Sequence, residues 1–316
     1  MPSQIELPGS LVAFIARRRG TGLQKIRSEA SRRSFFRLRR GGKTLVAMVY
    51  PEPARAEVER FCSLQKIYRE RGLRVPRIEQ VLDDRVVIQE DAGDLLLQRA
   101  WHAADPGARL RLLDQCREIL GRLAAVPPDL AAARLDRGRL RWEMDFFATH
   151  FLPRFPVRAL NQDDLKAQLQ RLAGALAPEN TFAHRDFHSR NLLVLGREIV
   201  MVDFQDSLVA PRYYDLVSLA FDSYLDLGAA RGRLFPNLAA CGDDRELKQV
   251  RLTALQRNIK ALGTFAFQTF ERQHPAYARY IPRTLRHIRS HLNIIADPNF
   301  KIIKKYFDSM AGRTKF

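Results

Sequence analysis

The stretch 181-TFAHRDFHSRNLLVLGREIVMVDFQDSLVAPRYYDLVSLAFD-222 decides how the rest of the chain is read. It crowds His184, Arg185, Asp186, His188 and Asn191 into one short run, then sets Asp203 at the end of an apolar one. A carboxylate in apolar surroundings is costly unless it is paired or binds something. The polar density of AHRDFHSRN predicts a loop. LLVLGREIVMVDF, two apolar runs joined by a Gly-Arg-Glu turn, predicts a hairpin with Asp203 at the exit of its second strand. APRYYDLVSLAFD opens with a proline-containing turn and continues into a helix.

Such a hairpin would bring Asp203 back towards the loop that precedes it. Asp186, Asn191 and Asp203 are therefore expected to face one point. Two carboxylates and an amide oxygen are hard ligands that suit Mg²⁺, an ion that keeps several waters and shares a phosphate. Four residues separate Asp186 from Asn191, the spacing of H-R-D-x-x-x-x-N in protein-kinase catalytic loops. Asp203-Phe204 then falls where the metal-binding D-F-G of a kinase would be. His-Arg-Asp alone is a weak signal; with the spaced Asn and the strand-borne Asp-Phe in order, the three positions carry a specific expectation. The structural alternative is a loop whose polar residues only cap helices and turns.

Working outward, SFFRLRRGGKTLVAMVYP reads as a β-hairpin turning at Gly41-Gly42. AEVERFCSLQKIYRERG reads as a helix with Val58, Phe61, Cys62 and Tyr68 on one face, ended by Gly72. RVPRIEQVL and RVVIQED read as two short strands. From about Asp94, Leu and Ala recur at helical spacing. The segmentation is a small β-rich lobe, 1–93, with a hinge near 89–94, followed by a larger, mainly helical lobe, 94–316.

The chain has 316 residues, 46% of them apolar and 28% charged, the balance of an ordinary globular protein. Its net charge of +18 favours anionic partners such as nucleotides, sugar phosphates, nucleic acid or an acidic membrane surface, without choosing among them. Cys62, Cys116 and Cys241 lie far apart with no CxxC pair, which argues against a disulfide framework and a zinc site. LVAFIA followed by RRR has the wrong length and order for a signal peptide, and no run reaches the roughly 18 apolar residues of a membrane helix. A cytoplasmic protein without a membrane span is expected.

The run D-F-H-S-R-N resembles the D-x-H-x-x-N loop of the aminoglycoside phosphotransferase and choline kinase superfamily, kinases of small molecules. P-R-Y-Y-D-L-V-S-L is similar to that superfamily too, and the A-P-E of a protein-kinase activation segment is absent. HRDFHSRNLLV, VDFQDSLVAPRYYDLVSLAFD, LRWEMDFF and LQRNIKALGTFA look most like the bacterial anomeric kinases of cell-wall amino-sugar recycling. EASRRSFFRL, TLVAM and EDAGD extend the likeness into the N-terminal lobe. The resemblance implies an α+β, protein-kinase-like bilobal fold. It implies a magnesium-dependent transfer from ATP to the anomeric hydroxyl of N-acetylmuramate or N-acetylglucosamine.

The roles it implies are these. Asp186 accepts or orients the acceptor hydroxyl's proton, and Asn191 and Asp203 hold Mg²⁺. His184 and His188 brace the loop, and Asp215, opening a helix, caps loop amides. Asp206 either assists Asp203 or contacts sugar hydroxyls. Ser28 to Arg33, with Ser31 and Arg33 foremost, form the turn over the phosphates. Ser28-Glu29 stands where the family has Gly-Asp. Ala47 lines the adenine, and the backbone of 89–92, including Glu90 and Ala92, meets its hydrogen-bonding edge. Val49 occupies the position of the phosphate-pairing strand lysine; the resemblance implies that the anomeric kinases lack that lysine as well, and Arg33, Arg37 or Lys43 could supply the charge. Arg190, Arg257 and Lys260 are candidates for the acceptor pocket, the latter two alternatively being solvated surface charges.

His287 and His291 have metal-ligand spacing but no third ligand, and are read as packing or surface residues. RRSFFRLRR mixes aromatic and basic groups as nucleic-acid binders do, yet its period-two alternation fits a strand, so no nucleic acid is expected. A kinase of another small alcohol, or a catalytically idle nucleotide-binding module, are the competing readings. The first predicts an acidic acceptor pocket; the second would account for the missing strand lysine.

Overall fold

The computed structural model describes residues 7–18, 20–26, 32–158, 160–176, 178–235 and 244–312. The chain forms two compact units. One comprises residues 1–96 with 192–205, and the other 97–191 with 206–316.

The first unit is built on a five-stranded antiparallel sheet. Its strands are β1 (Gly22–Ile26), β2 (Ser34–Arg40), β3 (Lys43–Val49), β4 (Ile78–Val81) and β5 (Val86–Glu90), in the order β1-β2-β3-β5-β4. The β2–β3 turn falls at Gly41-Gly42, whose φ values of +52° and +77° are what a two-residue hairpin turn demands and what glycine supplies without a Cβ penalty. Phe36 and Leu38 from β2, Ala47 and Val49 from β3, and Val86 and Ile88 from β5 share a core with Leu11 and Phe14. Those last two belong to α1 (Gly9–Ala16), a helix in a region the sequence suggested was rich in strands. α2 (Arg55–Glu70) buries Val58, Phe61, Leu64 and Tyr68 at helical spacing, and Gly72 follows it with φ +65°.

The hairpin of β7 (Leu192–Leu195) and β8 (Glu198–Met201) belongs to this same unit, although 95 residues of the other unit separate it in sequence. Local contacts explain why. Val194 N–H donates to the Leu95 carbonyl at 2.7 Å and Met201 N–H to the Arg74 carbonyl at 2.8 Å. Leu193 and Val200 pack on Ala92. Phe204, just past β8, stacks on Phe61 at 4.8 Å and lies 5.3 Å from Tyr68.

The second unit is mainly helical: α3 (Leu97–Ala103), α4 (Pro106–Ala124), α5 (Arg137–His150), α6 (Gln162–Ala175), α7 (Tyr214–Ala220), α8 (Asp244–Ala266), α9 (Ile281–Ile295) and α10 (Lys301–Asp308). A two-stranded ladder of β6 (Glu179–Ala183) and β9 (Leu208–Pro211) supplements them. The end of β9, Ala210-Pro211, overlaps the start of the segment read from sequence as a turn leading to a helix. α8 crosses α5 at Gly263, where a Cβ would stand 2.8 Å from Phe147 Cα; only a glycine allows this approach. Phe147, Phe151, Leu255, Ile259, Leu262 and Phe307 are among the side chains fully enclosed around that crossing.

Candidate active site

The loop 184–191 leaves β6 and is gripped at both ends by buried carboxylates flanking α7. Asp215, in the first turn of α7, accepts the N–H of His184 at 2.6 Å and of Arg185 at 2.9 Å. Asp222, just beyond α7, accepts the N–H of Ser189 at 2.9 Å and of Tyr224 at 2.8 Å. These bonds satisfy amides that the loop would otherwise leave unpaired in the interior. Burial pushes the Asp215 carboxyl up to about 7, despite the two amides that favour its anion, and raises that of Asp222 as well.

Between the two anchors Arg185 adopts φ +76°, a left-handed conformation uncommon for a non-glycine residue. Its guanidinium reaches Glu143 of α5, with Nη2 3.5 Å from Oε1. Glu143 is 1% exposed, and its other oxygen accepts from Gln256 Nε2 at 2.9 Å. The loop is therefore tied to α5, α7 and α8 together.

Asp186 keeps 28% of its side chain exposed, with Lys260 Nζ 3.6 Å from Oδ1. Burial alone would raise its carboxyl. Lys260 foremost, with Arg185 and Arg257, outweighs burial and holds it well below the usual carboxylate range. His188 contacts the Tyr224 ring edge-on at 5.0 Å, and burial pushes its imidazole down to about 3, so it is neutral at ordinary pH. His184 is fully enclosed. Asn191 donates from Nδ2 to the Asp186 carbonyl at 3.0 Å, which leaves the amide oxygen as its acceptor atom.

Among the acceptor-pocket candidates, Arg190 lies over the rings of Tyr224 at 5.0 Å and Tyr280 at 5.9 Å. Lys260 is 19% exposed beside Asp186. Arg257 is only 5% exposed, and its Nε bonds the Ser218 hydroxyl within α7. Neither Arg257 nor Lys260 is a solvated surface charge. Asp206 is exposed and lies within electrostatic reach of Arg185. Sequence reasoning missed Glu143, Tyr224, Tyr280 and Asp222, which meet the loop only through tertiary packing and carry no local signal.

Asp203 belongs to the sheet unit. It has φ +63° and 47% of its side chain exposed, and its Oδ1 accepts from Arg33 Nη2 at 2.8 Å and from Gln205 Nε2 at 2.9 Å. Ala47 is enclosed at the centre of β3. Glu90 donates its N–H to the Arg77 carbonyl at 2.8 Å and pairs its carboxylate with Arg74, while Ala92 packs under the β7–β8 hairpin. Arg37 is committed to Asp91 and Asp94, with contacts of 2.6 to 2.9 Å. Ser31 lies outside the described residues, as does the Ser28-Glu29 pair.

Asp203 in the sheet unit and Asn191 in the helical unit each carry a hard oxygen donor of the kind a divalent ion takes. Asp203 offers a half-exposed carboxylate and Asn191 an amide oxygen oriented by its own N–H bond. Among the described residues, no three His, Cys, Asp or Glu side chains gather as a metal site. His287 and His291 are packing residues, 7% and 0% exposed, set edge-on to Phe221. No described helix is long and apolar enough to cross a membrane.

Comparison with known proteins gives the family and the fold. Residues 22–242 match the family described as "Phosphotransferase enzyme family" (APH). The chain is 27% identical over 280 residues to the N-acetylmuramate/N-acetylglucosamine kinase of Pseudomonas aeruginosa, covering 83% of this chain and 81% of that protein. The Neisseria meningitidis protein of the same name is 27% identical over 286 residues, covering 83% of each chain. Among solved structures, the ADP-bound aminoglycoside phosphotransferase APH(2'')-Ib superposes with a TM-score of 0.61 at 14% identity, over 92% of this chain and 99% of that one. The fold is thus kinase-like, and the chain belongs to the APH phosphotransferase family as a small-molecule kinase.

Proposed function

We propose that the protein transfers the γ-phosphoryl group of ATP to a hydroxyl of a small sugar, most specifically the anomeric hydroxyl of N-acetylmuramate or N-acetylglucosamine. The observation that carries this reading is an ionised Asp186 on a loop fixed by Asp215, Asp222 and Glu143, with Lys260 3.6 Å away. In this reading Asp186 orients the acceptor hydroxyl and takes its proton as the new oxygen–phosphorus bond forms. The bond from the γ-phosphorus to the β,γ-bridging oxygen breaks, and ADP leaves with that electron pair. The transition state of such transfers is loose, so a weakly basic carboxylate in the right place is sufficient. Asn191 and Asp203 would be the ligands for Mg²⁺, which would neutralise charge on the transferring phosphates. Ala47, Glu90 and Ala92 would line the adenine, with Ser31 and Arg33 over the phosphates.

Lys260, Arg185 and Arg257 give the surroundings of Asp186 a positive character. That suits a neutral or anionic sugar better than a cationic alcohol, and Arg190 or Lys260 would meet a lactyl carboxylate. Asp206 would contact its hydroxyls. The names of the two relatives support the amino-sugar assignment.

The test is ATP consumption by purified protein with Mg²⁺ and N-acetylmuramate, N-acetylglucosamine or glucose, with phosphorus NMR to identify the phosphorylated oxygen. The expected result is an anomeric phosphate from an N-acetylated sugar and none from Asp186→Asn. Nucleotide binding without turnover on any sugar would sink the reading in favour of an idle module.

A further inference from the structure

Protein kinases carry a phosphate-pairing lysine near the end of the third strand. Here that place is taken by Val49, 2% exposed in the sheet core, where no cation would be tolerated. The sequence leaves three basic residues to replace it. Arg37 is spent, locked between Asp91 and Asp94. Lys43 stands at the far end of β3, six residues from Val49, or about 20 Å along an extended strand. Arg33 is in the right place.

Strand register shows why. Ser34 pairs with Val49, so Arg33 precedes β2 directly beside the strand end where the lysine would project. Its Nη1 lies 3.5 Å from Met48 Sδ, its guanidinium also meets the Tyr50 hydroxyl, and its Nη2 reaches Asp203 at 2.8 Å. One planar group therefore spans the β3 end and the carboxylate assigned to the metal. Arginine keeps its charge at all relevant pH values, and its donor fork matches phosphate oxygens.

We infer that Arg33 replaces the strand lysine as the cation for the nucleotide phosphates, and that it pairs with Asp203 until nucleotide and divalent ion arrive together. This rests on the kinase reading above. A divalent ion approaching Asp203 alone meets a guanidinium already on that carboxylate, and like charges repel. Phosphate oxygens give the guanidinium another partner and free the carboxylate. Metal and nucleotide then favour each other's binding by the same factor.

Calorimetry on the full chain tests this with three titrants: magnesium ADP, ADP in excess chelator, and magnesium chloride alone. Arg33→Gln is expected to weaken magnesium ADP by about tenfold or more, the scale of a charged hydrogen bond, while binding Mg²⁺ alone more tightly than wild type. Arg33→Lys is expected to recover part of the lost nucleotide affinity. A merely structural role would not move the two titrations in opposite directions. Arg33→Gln that folds normally and binds magnesium ADP as wild type does would overturn this inference and leave the kinase reading standing. Wild-type protein that binds no magnesium nucleotide would overturn both.

Discussion

Asp186 and Asp203 are 17 residues apart in sequence, and the chain treats them in opposite ways. Asp186 sits on a loop with buried carboxylate anchors at both ends, and three basic side chains favour its anion. Asp203 is half exposed just beyond a strand, in a left-handed backbone conformation, with Arg33 as its guanidinium partner. The first carboxylate owes its ionisation to permanent parts of the fold. The second is arranged to exchange partners. A group that must be ready before substrate arrives is built into packed structure, and one that must accept a ligand is kept accessible.

Asp186→Asn attacks the fixed side of this comparison and should cost the most. Turnover is expected to fall about a thousandfold, within the usual range for losing a positioned proton acceptor, with the melting temperature unchanged. Asp203→Asn attacks the exchangeable side. Asparagine tolerates φ +63°, so stability should hold, while activity falls about a hundredfold through several lost kcal/mol of charge stabilisation. Magnesium-dependent nucleotide affinity should fall with it, whereas Asp186→Asn should leave that affinity intact. If both variants lost nucleotide affinity equally, the contrast would fail.

Lys260→Met sharpens the same contrast at lower cost, about tenfold in kcat/KM. Lys260 is the strongest influence lowering the Asp186 pKa, so its removal should move the acid limb of the kcat/KM profile to higher pH. An unmoved limb would take Lys260 out of that role. The smallest effect concerns Asp215. Its folded pKa of about 7 lies above the ordinary carboxylate value of about 4, so between these limits the folded state binds more protons than the unfolded state. Asp215 therefore makes stability fall as pH rises through that window. Asp215→Asn should flatten that part of a urea-midpoint-versus-pH curve, and an unchanged slope would contradict the assignment.

What could be read from sequence was what depends on neighbours in sequence. The Gly41-Gly42 hairpin follows from turn chemistry alone, and the 184–191 loop and the β7–β8 hairpin are contiguous patterns. β6 and β9 escaped notice because each is short and their pairing spans an intervening loop and hairpin. α1 escaped because LVAFIA is a continuous apolar run, in which helical and strand periods cannot be told apart. Arg257 looks like any surface charge on a basic protein until α8 is seen to be buried around it. Glu143 and Tyr224 approach the loop only through the tertiary fold. Arg33 was one of three basic candidates, and strand register, which sequence does not reveal, distinguishes them.

The membership of residues 192–205 in the sheet unit has a practical consequence for dissecting the protein. A gene fragment stopping at residue 96 would lack the Leu193 and Val200 side chains that cover Ala92, and the Phe204 ring that covers Phe61 and Tyr68. The complementary fragment would carry an orphan hairpin with three apolar side chains and nothing to bury them. Neither half is a self-sufficient product of a single cut. Reconstitution from pieces would require transplanting the hairpin onto the shorter one.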